Sequence, residues 1–461
     1  MKIKLSNFFK SKSLPFDLIL FCFFILILKL TLVVIFPDPM FLLGDSHQYL
    51  ISAESGAILS DRSYLYGFII GPILKMSQSL YSLVWFQTLL SCFSCFCLLY
   101  ILTYYIQCHR KIAFFLTFIF ALEPNQLIHE RFLLTENVGG FAFSLFLLLF
   151  FAMLKKQKLF LGVLLAGVSI LVIALRMAYF VPVVLGTVIL FVYIFGVRWP
   201  HILKTSACIL MLLCAISSYK LLNSRLAEEE PSLISADGLI FISSFTPLLS
   251  LEMFEASGVS AEVFHQWKPT TRFFFRRCSE FFNPTGLVAT LRKNFQPLSR
   301  ANQTAKRLAT RCLVTKPLQV LKLGLSSYLL YFDKSSYAPA LVDQFRGFYK
   351  IPENKFFRER LLKNYGYALK EKVNFWLVQY YQQFRFWFLA LLIFPLIGTS
   401  LCFLNSTRSE NNGFLVLLFN LNALILFLTN GDVVLRYLHP LPILFLLWLG
   451  ELSRKLEPIK S

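Results

Sequence analysis

Apolar runs close to the length of a membrane-spanning helix recur along this 461-residue chain. A helix needs about 20 mostly apolar residues to cross the hydrocarbon layer, and about ten runs approach that length. They lie near residues 16–36, 80–106, 111–127, 133–153, 159–175, 177–197, 204–222, 384–404, 413–430 and 434–452. Because a helix satisfies its backbone polar groups internally, these runs predict an all-α polytopic membrane protein of about ten transmembrane helices.

The composition agrees with a membrane protein. Hydrophobic residues make up 57% of the chain and charged residues 15%, whereas soluble domains carry about a quarter charged residues. The formal net charge is +20, and much of the basic charge falls in short connections between the apolar runs. Such charge indicates orientation in a bilayer and attraction to anionic lipid head groups, so we expect no nucleic-acid partner.

The basic clusters predict the orientation of the chain. With the N-terminus in the cytoplasm, every short basic cluster falls on the cytoplasmic side, as the positive-inside rule requires. These clusters are Arg110-Lys111, Lys155-Lys156 with Lys158, Arg198 with Lys204, Arg408, and Arg454-Lys455. Both termini are then cytoplasmic. The first run lacks a small-residue cleavage site, so we interpret it as a retained helix and not as a signal peptide.

The order of the runs divides the chain into three predicted parts. Residues 1–222 form a seven-helix membrane module, and its first outer loop, 37–79, carries one or two amphipathic interfacial helices. Residues 223–383 form a long outer-face segment between helices 7 and 8, and residues 384–461 form a three-helix membrane part. The long segment mixes aromatic and basic residues, which is more typical of chain resting on head groups than of an independent globule.

Cysteines are interpreted mainly as structural. Most of them lie in or beside apolar runs, where a thiol behaves as a small hydrophobe. Cys92-x-x-Cys95-x-Cys97 has no His or acid beside it in its run, which argues against a metal site. Only Cys278 and Cys312 fall in the long segment, where a disulfide between them and two free thiols both remain open.

Ionisable side chains at the ends of the runs gather on the predicted outer face. Such groups are costly next to lipid, so each is a candidate for function. They are Asp45 and His47 after the first run, then His129-Glu130-Arg131 and Glu136, then Arg176, then Asp432 and Arg436-Tyr437. On the opposite face the clusters are nearly all Lys and Arg, as expected of topology anchors.

The outer-face motifs resemble those of the GT-C superfamily of polytopic glycosyltransferases, among them protein O-mannosyltransferase and aminoarabinose-transferase relatives. Gly44-Asp45-Ser46-x-x-Tyr49-Leu50 is similar to their Asp-containing first-loop motif, with Ser46 where many members carry a second acid. Arg62 to Phe68 is similar to their Arg-x-x-x-Tyr-Pro segment, without the proline. Further matches are Pro124 with Thr135-Glu136, Arg176, and Arg436-Tyr437-x-x-Pro440-x-Pro442.

The resemblance implies transfer of a sugar from a polyprenyl-phosphate carrier to a protein, lipid or glycan acceptor. It implies Asp45 as the general base of an inverting displacement, a role that suits a carboxylate. It implies Arg176, Arg436 and Arg62 as ligands of the lipid phosphate, since guanidinium binds phosphate bidentately. Tyr49 and Tyr437 would line the pocket. Four residues remain open between orienting the acceptor and ligating a divalent metal ion: Glu136, His47, His129 and Glu130.

Each candidate also has a structural interpretation. Asp45 could cap an interfacial helix, and Glu136 could start a helix or pair with Arg131. Arg176 and Arg436 could extend to lipid head groups. His47 could be an ordinary surface histidine.

Two other classes of function compete with the transferase. One is a transporter or flippase of lipid-linked sugars, which would place polar groups near the bilayer midplane rather than at one edge. The other is a lipid-linked glycan polymerase or ligase, which would not need the Asp45 motif. We expect a bacterial inner membrane with the site on the periplasmic side.

Overall fold

The computed structural model describes residues 15–42, 44–196, 198–199, 201–267, 279–333, 354–370, 374–403, 409–429 and 435–456. Helices are the only regular elements in these ranges, as the sequence predicts. The one β-type contact among them is a parallel bridge between Met40 and Phe132. This bridge joins the first loop to the segment that contains His129.

The described residues of the N-terminal half form ten α-helices with short connections. They are α1 (Phe16–Ile35), α2 (Asp45–Ser55), α3 (Leu65–Ser77), α4 (Leu80–Tyr100), α5 (Arg110–Ala121), α6 (Pro124–His129), α7 (Thr135–Lys156), α8 (Leu159–Leu175), α9 (Phe180–Phe195) and α10 (His201–Ala227). A π-helical segment, Ile101–Ile106, extends α4, and a short 3-10 helix, Met177–Tyr179, precedes α9.

The described C-terminal half is also helical. Its α-helices are α11 (Asp237–Ser243), α12 (Leu251–Ala256), α13 (Ala261–Gln266), α14 (Ser279–Phe282), α15 (Leu287–Asn294), α16 (Leu298–Thr315), α17 (Pro317–Leu330), α18 (Asn354–Tyr365), α19 (Phe375–Gln383), α20 (Arg385–Phe403), α21 (Glu410–Thr429) and α22 (Leu441–Leu456). Short 3-10 helices occur at Thr246–Leu248 and Leu435–Leu438.

Five of the described helices are long and apolar enough to cross a membrane. They are Phe16–Ile35, Leu80–Ile106, Thr135–Lys156, Met177–Phe195 and Ile202–Ala227. A sixth span results if Trp376–Gln383 and Arg385–Leu401, which meet at a bend of 42°, are counted as one. These helices indicate a multi-pass integral membrane protein.

Other predicted runs form helices that are shorter than a full span. Helix α5 has 12 residues, α8 has 17 and α22 has 16. Helix α5 ends early because Pro124 begins a new helix and Glu123 caps it, accepting a hydrogen bond of 2.7 Å from the backbone N–H of Gln126. The run near 111–127 is therefore two helices and not one.

Two helices, α2 and α3, occupy most of the first loop. They pack closely, because a Cβ atom on Gly71 would lie 2.8 Å from the carbonyl oxygen of Ala53. Gly44 and Gly56, on either side of α2, have positive φ angles that favour glycine. Gly44 thus lets the chain turn directly before Asp45, the first residue of α2.

The long segment has a hydrophobic core of its own between residues 236 and 320, which differs from the expectation of chain resting on head groups. Small buried residues on α16, among them Ala301 and Ala305, allow α11 to approach closely. The side-chain oxygen of Asn302 also accepts hydrogen bonds from the first backbone N–H groups of α11, at Gly238 and Leu239. The proposed Cys278–Cys312 disulfide involves Cys278, which lies outside the described residues.

Candidate functional site

Asp45 lies in the first turn of α2 and its carboxylate is held by two arginines. Oδ1 accepts a hydrogen bond of 2.7 Å from Arg62, and Oδ2 accepts one of 2.5 Å from Arg436. The N-cap of α2 is Gly44, so Asp45 is not the capping residue. The Asp45 side chain is 19% exposed, which leaves part of it accessible from solution.

Glu136 lies at the start of α7 and is almost completely buried. Its Oε1 atom is 2.5 Å from a terminal nitrogen of Arg176 and 3.8 Å from Nε of Arg436. Arg176 follows the last residue of α8 and also donates a hydrogen bond of 3.4 Å to the backbone carbonyl of Arg436. Arg436 therefore lies between the carboxylates of Asp45 and Glu136.

Two tyrosines flank these arginines. The guanidinium carbon of Arg176 is 5.1 Å from the ring centroid of Tyr437, and that of Arg436 is 5.7 Å from it. Arg62 lies 6.0 Å from the ring of Tyr49. Burial raises the pKa of the Tyr49 phenol, and the charges of Asp45 and Glu136 raise it further. Such cation–π contacts orient guanidinium groups without consuming their hydrogen-bond donors.

We name this group of side chains the Asp45 cluster: Asp45, Asp61, Arg62, Glu136, Arg176, Arg436 and Tyr437. Asp61 belongs to it because its two carboxylate oxygens accept hydrogen bonds of 3.1 and 2.9 Å from Arg62. Three carboxylates thus face three guanidinium groups, and the formal charge is balanced. Sequence reasoning missed Asp61, although its position next to Arg62 is a signal for pairing.

His129 lies beside the Asp45 cluster and packs against His439. Their ring centroids are 5.1 Å apart, and both side chains are buried. Burial lowers the pKa of His129 to about 4, and Arg176 and Arg436 act in the same direction against the opposing charge of Glu136. His129 is therefore neutral near pH 7. His439 was not a sequence candidate, although it follows Tyr437 by two positions.

Helix α7 approaches the histidine pair closely. A Cβ atom at Gly140 would lie 2.3 Å from the His439 ring, so a larger residue there would displace that ring. No ring nitrogen of His129 or His439 has a hydrogen-bond partner within the described ranges. The same holds for the hydroxyl of Tyr179 and the side-chain amide of Asn137. Four buried polar side chains of this region thus have no hydrogen-bond partner among the described residues.

Glu130 lies in a different cluster, which we name the Glu130 network: Lys29, Ser91, Glu130 and Arg131. Glu130 pairs with Lys29 of α1 and, at 2.5 Å, with Arg131, and it accepts a hydrogen bond of 2.7 Å from Ser91 of α4. The Lys29, Glu130 and Arg131 side chains are inaccessible to solvent. Glu130 thus ties two helices together and is not brought to Asp45.

The Glu130 network corrects one sequence interpretation and adds one residue. Glu136 does not pair with Arg131, because Arg131 binds Glu130 and Glu136 binds Arg176. Lys29 was overlooked, although a single lysine inside a long apolar run signals a buried partner.

His47 points away from the Asp45 cluster. Its ring lies 5.1 Å from that of Phe357, which belongs to α18. Burial lowers the pKa of His47, and the charge of Arg360 lowers it further. The contacts of His47 are those of a packing residue between α2 and α18.

Metal ligation has no support in the described parts of the chain. They contain no group of three or more His, Cys, Asp or Glu side chains placed to hold a metal ion.

Comparisons with known proteins do not assign a family or a function to this chain. No protein-family model, curated protein or solved structure matches the chain.

Proposed function

We propose that this protein is a membrane glycosyltransferase of the GT-C type. In this proposal it transfers a sugar from a polyprenyl-phosphate carrier to an acceptor hydroxyl on the non-cytoplasmic face, with inversion at the anomeric carbon. The observation that carries the proposal is the convergence of Asp45 with three arginines from distant parts of the sequence, Arg62, Arg176 and Arg436. The resemblance of the Asp45, Glu136 and Arg436 segments to GT-C motifs supports the same class.

The arginines suit a lipid phosphate. A phosphate oxygen accepts the same paired N–H groups that a carboxylate accepts, and guanidinium keeps its charge at every physiological pH. In the Asp45 cluster each guanidinium binds a carboxylate, so phosphate binding would exchange one charged acceptor for another. The guanidinium groups would then stay paired with an anion throughout the exchange.

The reaction assigned to Asp45 is a single displacement. The acceptor hydroxyl gives its proton to the Asp45 carboxylate, and its oxygen forms a bond to the anomeric carbon. The bond between that carbon and the phosphate oxygen breaks, and polyprenyl phosphate leaves with the electron pair. Arg176 and Arg436 stabilise the charge that develops on the leaving phosphate.

The proposal includes a topology of about ten crossings with both termini in the cytoplasm. In this proposal α5 and α6 together count as one broken crossing, and α8, α21 and α22 complete about ten. Both termini then lie in the cytoplasm and the Asp45 cluster lies on the outer side, in a bacterial inner membrane the periplasmic side. The distribution of short basic clusters supports this orientation.

The test is sugar transfer by purified Asp45→Asn protein, measured with a panel of polyprenyl-phosphate sugars in vesicles. Asparagine keeps the size of the side chain but cannot accept the proton, so turnover falls by about 10²–10⁴-fold if general-base catalysis is lost. Binding of sugar-free polyprenyl phosphate should survive. Asp38→Asn is the matched control, because Asp38 lies in the same loop and pairs with Lys370 instead of the arginines. Equal turnover in Asp45→Asn and wild type would contradict the proposal.

A transporter or flippase is the alternative with an observation in its favour. Lys29 lies within the apolar helix α1 and pairs with Glu130, and buried charges inside spans often mark transport pathways. Vesicles with externally added lipid-linked sugar distinguish the two. A flippase moves the sugar lipid between leaflets without forming a new glycosidic bond, whereas a transferase or a glycan polymerase forms one. Only the transferase and not the polymerase is expected to depend on Asp45.

A further inference from the structure

Helix α17 presents an apolar face that the described parts of the long segment do not cover. Leu318, Leu321, Leu325 and Leu329 are 71%, 61%, 46% and 55% exposed. Their spacing of three, four and four positions places them on one side of a helix. We call them the α17 apolar face. Four adjacent exposed leucines are unfavourable in water and indicate an apolar partner.

The opposite side of α17 packs against helices of the membrane part. The hydroxyl of Tyr328 donates a hydrogen bond to the backbone carbonyl of Leu392 on α20. Leu392 lies seven positions after Arg385, the first residue of α20, which corresponds to about 10 Å along the helix axis. Helix α17 also packs along α21.

Helix α17 is not recognisable in the sequence as a membrane helix, because it is short. Helix α17 has 14 residues, or about 21 Å, which is too little to cross a bilayer. Between residues 323 and 331 it carries no charge, and the exposed Lys322 can extend its amine toward head groups. These properties suit a helix that enters the bilayer without crossing it.

We propose that α17 is embedded in the hydrocarbon layer and that the α17 apolar face contacts lipid acyl chains. The part of the hydrophobic core between residues 236 and 312 remains outside the bilayer and is anchored to it through α16 and α17. Two observations favour lipid as the occupant: the packing of α17 along α21 and the contact of Tyr328 with α20. An apolar surface that continues the surface of neighbouring membrane helices is exposed to lipid, as theirs is.

The test uses photocrosslinking of the full-length protein in phospholipid nanodiscs. Benzoylphenylalanine replaces Leu325 in one protein and Gln303 in another, and adducts are identified by mass spectrometry after irradiation. Gln303 is the matched control, since it is exposed on the neighbouring helix α16. Both positions are at least partly accessible, so neither replacement opens the core. Co-elution with wild type on size-exclusion chromatography verifies folding.

The proposal expects several-fold more lipid adduct at position 325 than at position 303, with the crosslink on the acyl chain. Equal lipid labelling at the two positions would overturn it, as would adducts confined to head groups. Crosslinking of position 325 to a second copy of the chain would also overturn it, because a protein surface would then cover the leucines.

Discussion

Arg436 and Asp45 lie 391 positions apart in the sequence, yet a guanidinium nitrogen of Arg436 lies 2.5 Å from a carboxylate oxygen of Asp45. The same arginine lies 3.8 Å from Glu136 through its Nε atom. One side chain from the C-terminal part thus links the first loop to the start of α7. The Asp45 cluster can form only when these parts have folded together, and its integrity reports on their docking.

A double-mutant cycle should reveal this coupling. We expect Asp45→Asn and Arg436→Gln each to lower thermal stability in detergent, and the double variant to lose less than the sum. The coupling free energy should be about 0.5–3 kcal/mol, the range for residues in direct contact. Arg110→Gln with Asp17→Asn is a control pair, because that ion pair is largely exposed. Strict additivity at Asp45 and Arg436 would show that the contact contributes nothing.

Removal of a phosphate ligand should weaken binding of the lipid carrier. For Arg176→Ala we expect a higher dissociation constant for sugar-free polyprenyl phosphate, measured by fluorescence quenching in micelles. Arg176→Lys should recover only part of the affinity, because an ammonium group cannot bind two oxygens in parallel. An unchanged dissociation constant in the alanine variant would leave Arg176 as a partner of Glu136 alone.

The Glu130 network should matter for stability and not for donor binding. Glu130→Gln leaves Lys29 and Arg131 buried without their counter-charge, and such a loss costs about 3–5 kcal/mol in comparable pairs. Combining Glu130→Gln with Lys29→Met should restore part of the loss, since it removes one of the two unpaired cations while Arg131 remains. Thermal unfolding measures both effects. A double variant less stable than the single variant would contradict this explanation.

The helical class and several boundaries follow from periodicity and length, because a long apolar run has few alternatives in lipid. The runs near 16–36, 80–106 and 133–153 correspond closely to Phe16–Ile35, Leu80–Ile106 and Thr135–Lys156. The run near 111–127 does not, since Pro124 restarts the helix. Hydropathy alone cannot reveal such a break, because flanking residues keep the average high.

The site could be predicted in part, for a related reason. Charges at helix ends are conspicuous in an apolar sequence, so Asp45, Glu136, Arg176 and Arg436 were identifiable. The partner of each charged side chain depends on how the helices pack, and the separation of two residues in the sequence does not predict this packing. Glu130 differs from Glu136 only in its neighbours, yet it faces Lys29 while Glu136 faces Arg176. His439 was missed because histidine is common in ordinary buried positions.

The stability of the folded protein should depend on pH through His129. Burial lowers the pKa of His129 from 6.5 to about 4 in the folded protein, where its neighbours are Glu136, Arg176, Arg436 and His439. Between those values the unfolded chain binds a proton at this position and the folded protein does not. Stability should therefore be highest above about pH 6.5 and should fall as the pH decreases toward 4, because protonation favours the unfolded state.

Substitution of the histidine should flatten this profile. His129→Gln cannot titrate, so its thermal midpoint should change less between pH 7 and pH 4.5 than that of the wild type, even if its stability at pH 7 is lower. His265→Gln is the control, since His265 is exposed on α13 and its replacement removes a histidine outside the buried pair. The comparison uses the change of the thermal midpoint with pH, because this slope does not contain the pH-independent loss of stability that the substitution causes. Parallel profiles for His129→Gln and wild type would mean that His129 does not carry the low-pH instability.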